Sequence, residues 1–469
     1  MSNQFMTSDD NTVLPWQSQD SVDQTNAQFY GRFPFPWRPQ KFDRLVDPQF
    51  HTIMLNQNLG DWTHQTLSGR LKIWVAGCGT NQAVITALNF PDAQVIGSDL
   101  SKQSLALGAR TAQELGVKNL ELRNESINQV PYEEEFDYVI CTGVIHHNAN
   151  PETSLQKLAG ALKRTGIMEL MVYNRYERLP TTAFQKAIRL LGGESESVNY
   201  EADLTRAKRI ASEIRLTNFG NVTEANVDEL PDCLLADLLI QPVENSYTVE
   251  SFEDLGARCN LEMLYPCYDM FDTGTISWSM SFTDPELQAA YDALPDTKRW
   301  QVTNHLLFER SPQLWFTFQR KDSPRRRKDE KEICDTFLRT RFKRAATTQR
   351  SFIRQADDLY KPSDRQLPYP LARPPKSLQQ IVELVDGRRT MGEIFSEIGM
   401  KTTFQNVNYV RLRLSTTAFP YLRAVTEVDV RNREETDEQL RMKIEAGKLK
   451  RFRTIEPKTI TQKGYGRWD

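Results

Sequence analysis

Two glycines, an aspartate and a pair of histidines are the residues of this sequence whose types and spacing could do chemistry. Gly77 and Gly79 stand in WVAGCGTNQAVITAL (Trp74–Leu88), between an apolar run and an amphipathic one. A glycine turn there brings bare backbone up to a nucleotide-like ligand, because neither residue carries a Cβ. Asp99 follows 20 residues after Gly79 in VIGSDLS, where a carboxylate can accept hydrogen bonds from both hydroxyls of a ribose. His146 and His147 close FDYVICTGVIHH as the adjacent pair among five histidines, and a neutral imidazole can take a proton near pH 7.

Several cofactors want such a turn. A P-loop needs Gly-Lys-Ser/Thr at its close, and no lysine is present. A dinucleotide fingerprint needs a third glycine, where Gln82 stands; that glycine lets the helix pack close to the strand beneath a pyrophosphate. S-adenosylmethionine has no phosphate and asks only for the tight turn and the ribose acid. The six cysteines are scattered without a CxxC pair, and no second ligand pair joins Cys141, His146 and His147 into a zinc site. No metal and no iron–sulfur cluster is expected.

The elements that must hold these residues begin at Leu71. LKIWVAG, AQVIGSDLS, LELRNES, FDYVICTGV and GIMELMVYN read as strands; QAVITALNF, SLALGARTAQELGV and PETSLQKLAGALKR read as helices. Short strands alternating with helices predict an α/β fold, a Rossmann-like doubly wound sheet with ligands at the carboxyl ends of its strands. HLLFERSPQLWFTFQRK carries two β-like runs that would close the sheet as an antiparallel hairpin.

Around that core the sequence divides. Residues 1–27 are polar and read as a disordered lead-in. A catalytic domain is expected over 28–322: an arm over 28–65, extended around Pro34, Pro36 and Pro39 and then a helix and loop in PQFHTIMLNQNLGDWTHQTL, a core over 66–180, and a helical insertion with the last strands over 181–322. A basic helical connector (323–360), a small C-terminal winged-helix-like α+β domain (361–430) and a charged tail (431–469) would follow.

VAGCGT, then GSDLS, then FDYVICTGVIHH, in this order, resemble the successive motifs of class I S-adenosylmethionine-dependent methyltransferases, over about Leu71–Tyr173 and more loosely to Arg320. The arm FYGRFPFPW is similar to the Tyr-x-x-x-Pro-Tyr-Pro arm of a bacterial subgroup, some of whose members carry tetratricopeptide repeats; no such repeats occur here. The resemblance implies S-adenosyl-L-methionine as cofactor. Gly77, Cys78 and Gly79 would line its methionyl and ribose part, Asp99 would take the ribose and Leu100 the adenine. Glu125 or Ser126 would approach the adenine amino group, ESINQVP being one residue longer than the family's usual segment. Thr142 and Gly143 would lie near the methyl end.

His146 or His147 would serve as a catalytic base at the mouth. Tyr30, Phe33, Phe35 and Trp37 of the arm could form a lid, with cation–π attraction of about 0.5–2 kcal/mol toward a sulfonium. Arg32 and Arg38 could pair with a carboxylate of the cofactor or substrate. No Asn/Asp-Pro-Pro-Tyr/Phe motif follows the fourth strand, which argues against planar amides and nucleobase amino groups as acceptors. The expected reaction is methyl transfer to an oxygen or nitrogen of a small molecule or protein side chain. The rivals are a non-catalytic partner or assembly factor retaining the fold, and a nicotinamide-dependent oxidoreductase.

Charge is unevenly spread. Lys321–Asp469 holds 33 basic and 21 acidic residues, +12, which leaves −15 for the first 320. Either the basic half docks on the acidic one, or it meets an acidic protein or nucleic acid. No apolar run approaches the ~18–20 residues needed to span a bilayer, and no secretory leader is evident, so a cytoplasmic protein with no membrane partner is expected.

Overall fold

The structure, a computed structural model, describes residues 19–192, 199–214, 227–268, 278–308, 313–431, 438–439 and 442. Helix α1 (Gln19–Arg32) leads through a proline-rich loop to β1 (Lys41–Leu45) and α2 (Phe50–Asn58). Then β2 (Lys72–Ala76), α3 (Gln82–Asn89), β3 (Gln94–Asp99), α4 (Lys102–Glu114), β4 (Leu120–Asn124), β5 (Phe136–Thr142), α5 (Pro151–Ala161) and β6 (Leu162–Val172) alternate. An insertion supplies α6 (Arg175–Gly192), α7 (Tyr200–Glu213) and α8 (Asp232–Leu239). After it come α9 (Val249–Arg258), β7 (Leu261–Pro266), α10 (Pro285–Ala293), α11 (Asp296–Leu306) and β8 (Leu314–Arg320). The C-terminal part comprises α12 (Glu330–Arg339), β9 (Phe342–Arg344), β10 (Thr347–Arg354), β11 (Tyr360–Tyr369), α13 (Gln379–Leu384), α14 (Met391–Glu397), α15 (Phe404–Leu414) and β12 (Leu422–Ala424).

Seven strands form the main sheet in the order β4-β3-β2-β5-β6-β8-β7. Pairing is parallel from β4 to β6, and β8 runs antiparallel to both β6 and β7. This is the Rossmann-like sheet that the alternation predicts. Strand order reverses between β2 and β5, so the crevice at their carboxyl ends is the ligand position of such sheets. Ile73, Trp74, Val75, Val95, Val139, Leu170 and Phe316 are fully buried in the sheet, and the Trp74 indole donates to Ser98 Oγ at 2.8 Å. The apolar runs that read as strands are therefore strands covered on both faces.

Three local expectations change. His305 and Leu306, which open HLLFER, end α11 rather than begin a strand, Glu309 and Arg310 lying outside the described residues: Trp300 and Thr303 are buried in that helix, and the antiparallel closure uses β7 and β8 instead. PETSLQKLAGALKR is helical only to Ala161, because Leu162 pairs with Phe136 and Lys163 reaches Asp137 at 2.8 Å. Residues 19–27 are helix, not disordered lead-in; Val22, Asn26 and Phe29 form a buried stripe at helical spacing. Residues 1–18 of that segment lie outside the described residues.

The arm and the C-terminal part are knit together. β1 pairs with β10, and β10 with β11, as a separate antiparallel sheet. Phe42, Phe352 and Tyr360 of that sheet pack on Val84, Leu88, Ala112 and Leu115 of α3 and α4. The connector is helical only over Glu330–Arg339 and then becomes strand, so a division at 360/361 falls at the start of the hairpin's second strand. A winged helix needs a hairpin after its last helix; among the described residues β12 pairs only with β9, and Ile333, Phe337, Phe395 and Val410 join the core of the main sheet. The tail beyond residue 431 lies almost wholly outside the described residues.

Charges of the two halves meet. Arg327 donates to Asp296 at 2.9 Å, and the buried Arg299 bridges Asp296 (2.7 Å) and Glu330 (2.9 Å). Gln57 of α2 clasps β12, donating to the carbonyl of Leu422 (3.0 Å) and accepting from the N–H of Ala424 (2.8 Å). No helix among the described residues is long and apolar enough to cross a membrane.

Candidate active site

β2 ends in the glycine turn, and both glycines adopt the left-handed conformation, with φ +68° at Gly77 and +54° at Gly79. What crowds them is the protein's own structure. A Cβ on Gly77 would lie 2.4 Å from Val144, and one on Gly79 2.4 Å from the carbonyl oxygen of Phe35. The turn is pinned by Cys78 N–H donating to Ser98 O (2.8 Å) and Gly79 N–H to Asp99 Oδ2 (2.8 Å). Asn81 precedes α3 but does not cap it; its amide donates instead to the carbonyl of Trp37 at 2.9 Å. Thr80 N–H donates to Phe35 O at 3.1 Å, and the Thr80 hydroxyl to Pro36 O. Three successive arm carbonyls are thus tied to the turn.

Asp99 ends β3 with its carboxylate split between two backbone donors, Gly79 N–H and Ser101 N–H (2.7 Å). Burial pushes this carboxyl above its usual range, against the pull of those two N–H groups. Each oxygen keeps a lone pair, and Asp99 lines a cavity of about 1180 Å³. Ser101 then caps α4, accepting from Ser104 N–H at 3.1 Å. Burial first, and the Asp99 charge second, hold the Cys78 thiol well above its ordinary pKa, so it is no thiolate nucleophile.

The same cavity is lined by Leu100, Glu125, Ser126, Thr142 and Gly143, which the turn and strand ends bring together. Ser126 donates its hydroxyl to Asp23 of α1 at 2.5 Å, whereas the Glu125 carboxylate accepts from Tyr132 at 2.5 Å. Gln82, in place of a third glycine, spans from α3 to the Thr142 hydroxyl at 2.5 Å. Gly143, at φ +76°, donates to Met171 O at 3.1 Å and fixes the exit of β5.

Of the histidine pair, His147 lines the cavity and His146 does not. His146 is fully buried against Tyr173, ring centroids 3.9 Å apart, and neither ring nitrogen has a partner among the described residues. His147 sets its Nδ1 on the carbonyl of Val243 at 2.7 Å, which makes Nδ1 the protonated nitrogen and leaves Nε2 as a bare acceptor. Burial lowers the pKa of both rings, most strongly His146, whose neighbours His147 and Arg178 lower it further.

The arm is likewise divided. Tyr30, Phe35 and Trp37 line the cavity, but Phe33 packs with Phe29, Phe184 and Leu204 in the core of the insertion. Neither arginine reaches a ligand position: Arg38 bonds Glu114 (2.8 Å) and Asp358 (2.7 Å), and Arg32 pairs with the exposed Glu201.

Sequence reasoning missed the roof. Helix α1 supplies Asp23 to Ser126 and Asn26 to the His147 carbonyl (2.7 Å). Asp237 of α8 accepts the hydroxyls of Tyr30 (2.7 Å) and Tyr173 (3.1 Å). Arg178 of α6 lies over the Tyr173 ring at 4.0 Å and binds Glu244 through both its Nε (2.7 Å) and Nη2 (2.5 Å). These residues come from four separate stretches of chain, and no local motif carries them. Among the described residues no cluster could hold a metal ion.

Residues 71–223 match the family model of a methyltransferase domain, Methyltransf_31. An uncharacterized protein of Synechococcus is 28% identical over 241 residues, 50% of this chain and 57% of its own length. The tRNA U34 carboxymethyltransferase of Campylobacter curvus is 24% identical over 234 residues, 46% of this chain and 74% of that one. The solved structure of PKMT2 from Rickettsia typhi is 14% identical with a TM-score of 0.50, covering 84% of this chain and 78% of that one, a likeness of fold.

Proposed function

We propose that this chain, which carries a class I methyltransferase domain, is an S-adenosylmethionine-dependent methyltransferase acting on a nitrogen or oxygen of a small molecule or protein side chain. The observation that carries it is the Asp99 carboxylate, half-buried at the switch point and lining a cavity continuous with Thr142, His147 and Tyr173. The site suits the cofactor: the glycine turn is set by protein contacts, and Asp99 keeps an acceptor on each oxygen for a ribose diol. Gly77, Cys78, Gly79, Asp99 and Leu100 would hold it, with Glu125 toward the adenine. When bound, it supplies an electrophilic methyl group on a good leaving group.

The chain's own task is then placement. Val144 and Phe35 hold the turn rigid, Thr142 and Gly143 present the end of β5, and the arm and α1 keep water out. Fixing nucleophile and electrophile in line can contribute about 7–11 kcal/mol. Gln82, filling the place of a third glycine, supports this reading over a nicotinamide oxidoreductase. Six free cysteines, five of them buried, support a cytoplasmic setting. Arg327, bonded to Asp296, supports the basic half as a docking partner of the acidic one, with an acidic protein or nucleic acid as its alternative use.

Isothermal titration with S-adenosylmethionine, S-adenosylhomocysteine and NAD tests this reading. Binding of the first two without NAD is expected, and NAD binding alone would overturn it. Transfer of labelled methyl into a cell extract, lost in Asp99→Ala, is expected of an enzyme; a cofactor-binding protein that labels nothing would be the assembly factor instead.

A further inference from the structure

Resting on that reading, we propose that the methyl acceptor is an amine, seated against Asp237, Tyr30, Tyr173 and His147. The four side chains come from α8, α1, the end of β6 and the loop after β5, and all line the same cavity as Thr142 and Gly143. Both tyrosines spend their protons on Asp237, at 2.7 and 3.1 Å, so the atoms they have left are oxygen lone pairs. His147 is 3% exposed, and with Nδ1 committed to Val243 its Nε2 is a lone pair without a partner among the described residues. The group therefore offers acceptors and one negative charge.

The nearest cation, Arg178, is hydrogen-bonded to another carboxylate. Arg178 is held by Glu244 in a pair whose side chains are 5% and 2% exposed, and its charge is balanced there. Around the whole cavity seven carboxylates face two basic side chains, Lys41 and Arg178. The charge of Asp237 repels a carboxylate acceptor, and the four-residue group itself holds no uncommitted donor for a hydroxyl oxygen. An N–H-rich, positively charged group satisfies it.

The chemistry has the same sign. The acceptor docks as its ammonium ion and gives up one proton to solvent before the step, which frees its lone pair. Its lone pair forms the N–C bond while the pair of the broken C–S bond stays on sulfur, so positive charge moves from sulfur to nitrogen. Asp237 is placed to stabilise that charge as it arrives, in a site already organised to receive it.

n-Butylammonium, n-butanol and butyrate serve as probes, titrated calorimetrically into the full chain loaded with S-adenosylhomocysteine. n-Butylammonium is expected to bind at least about tenfold more tightly than the other two. Asp237→Asn should weaken it about 10- to 100-fold, the scale of a lost hydrogen-bonded charge, with S-adenosylhomocysteine affinity kept. Tyr173→Phe, which retains the carboxylate, should cost severalfold and stands in if Asp237→Asn does not fold. Butanol or butyrate binding as tightly as the amine, no binding of the amine, or an unchanged amine affinity in both variants would each overturn the proposal. Loss of S-adenosylhomocysteine binding by the unaltered protein is a different result, and it overturns the methyltransferase reading itself.

Discussion

Replacing Asp99 by asparagine separates a ribose-binding acid from a merely structural one. The carboxylate serves two backbone donors at 2.8 and 2.7 Å, Gly79 and Ser101. An amide has one acceptor oxygen, so in either orientation its NH₂ faces one of those N–H groups. A hydrogen bond to a charged group contributes about 1.5–3 kcal/mol, and the turn loses one. Relief of a buried charge, visible in the upward shift of the Asp99 carboxyl, opposes that loss. The net effect on stability should therefore sit at the low end, a fall of about 3 °C in Tm. Ligand affinity has no such offset: one of two ribose hydroxyls loses its acceptor, which is about 10- to 150-fold in Kd. Titration calorimetry with S-adenosylhomocysteine alongside thermal unfolding reads both quantities. A Kd within threefold of the unaltered protein would refute the assignment of Asp99 to the ribose.

Gly79→Ala places a methyl group where the Phe35 carbonyl stands and forces alanine to a left-handed φ. The strain of about 1–2 kcal/mol, plus about 1 kcal/mol for the Thr80–Phe35 hydrogen bond, should free the arm, seen as faster proteolysis within residues 33–40. Glu244→Gln takes from the buried Arg178 its hydrogen-bonded counter-ion, and unfolding in urea should show a loss of about 3 kcal/mol. Acid should destabilise the protein through two half-buried histidines. Burial lowers His51 and His64 to about 4, so the unfolded chain takes up protons first as pH falls below about 6.5, and stability drops between there and pH 4. His51→Gln should flatten that decline in a Tm series from pH 7 to 5, and an unchanged slope would count against it.

What was legible in the sequence was what local pattern encodes. The turn, the ribose acid and the exit of β5 each follow an apolar run that is a strand, and strand order then brings them to one crevice. α1 was missed because its first turns are polar and its buried stripe includes Asn26, which hydrophobic periodicity does not count. Asp23, Asp237 and Glu244 could not be read at all. Each looks like an ordinary surface acid until tertiary packing sets a serine, two tyrosines or an arginine against it. His146 and His147 are adjacent in sequence, yet only packing decides that one faces a cavity and the other a tyrosine ring. Net charge showed that the halves were opposite in sign but not that Arg327 satisfies Asp296 inside the fold.

The β1–β10 pairing joins positions about 300 residues apart, and the arm carbonyls that grip the glycine turn hang from β1. On a ribosome adding about 5–20 residues per second, β1 waits roughly 15–60 s for its partner strand. Throughout that interval the nascent sheet can be complete while the loop over its turn is tethered at one end. Any chain released before residue 347 would carry every motif of the catalytic domain and still lack the latch that holds them shut.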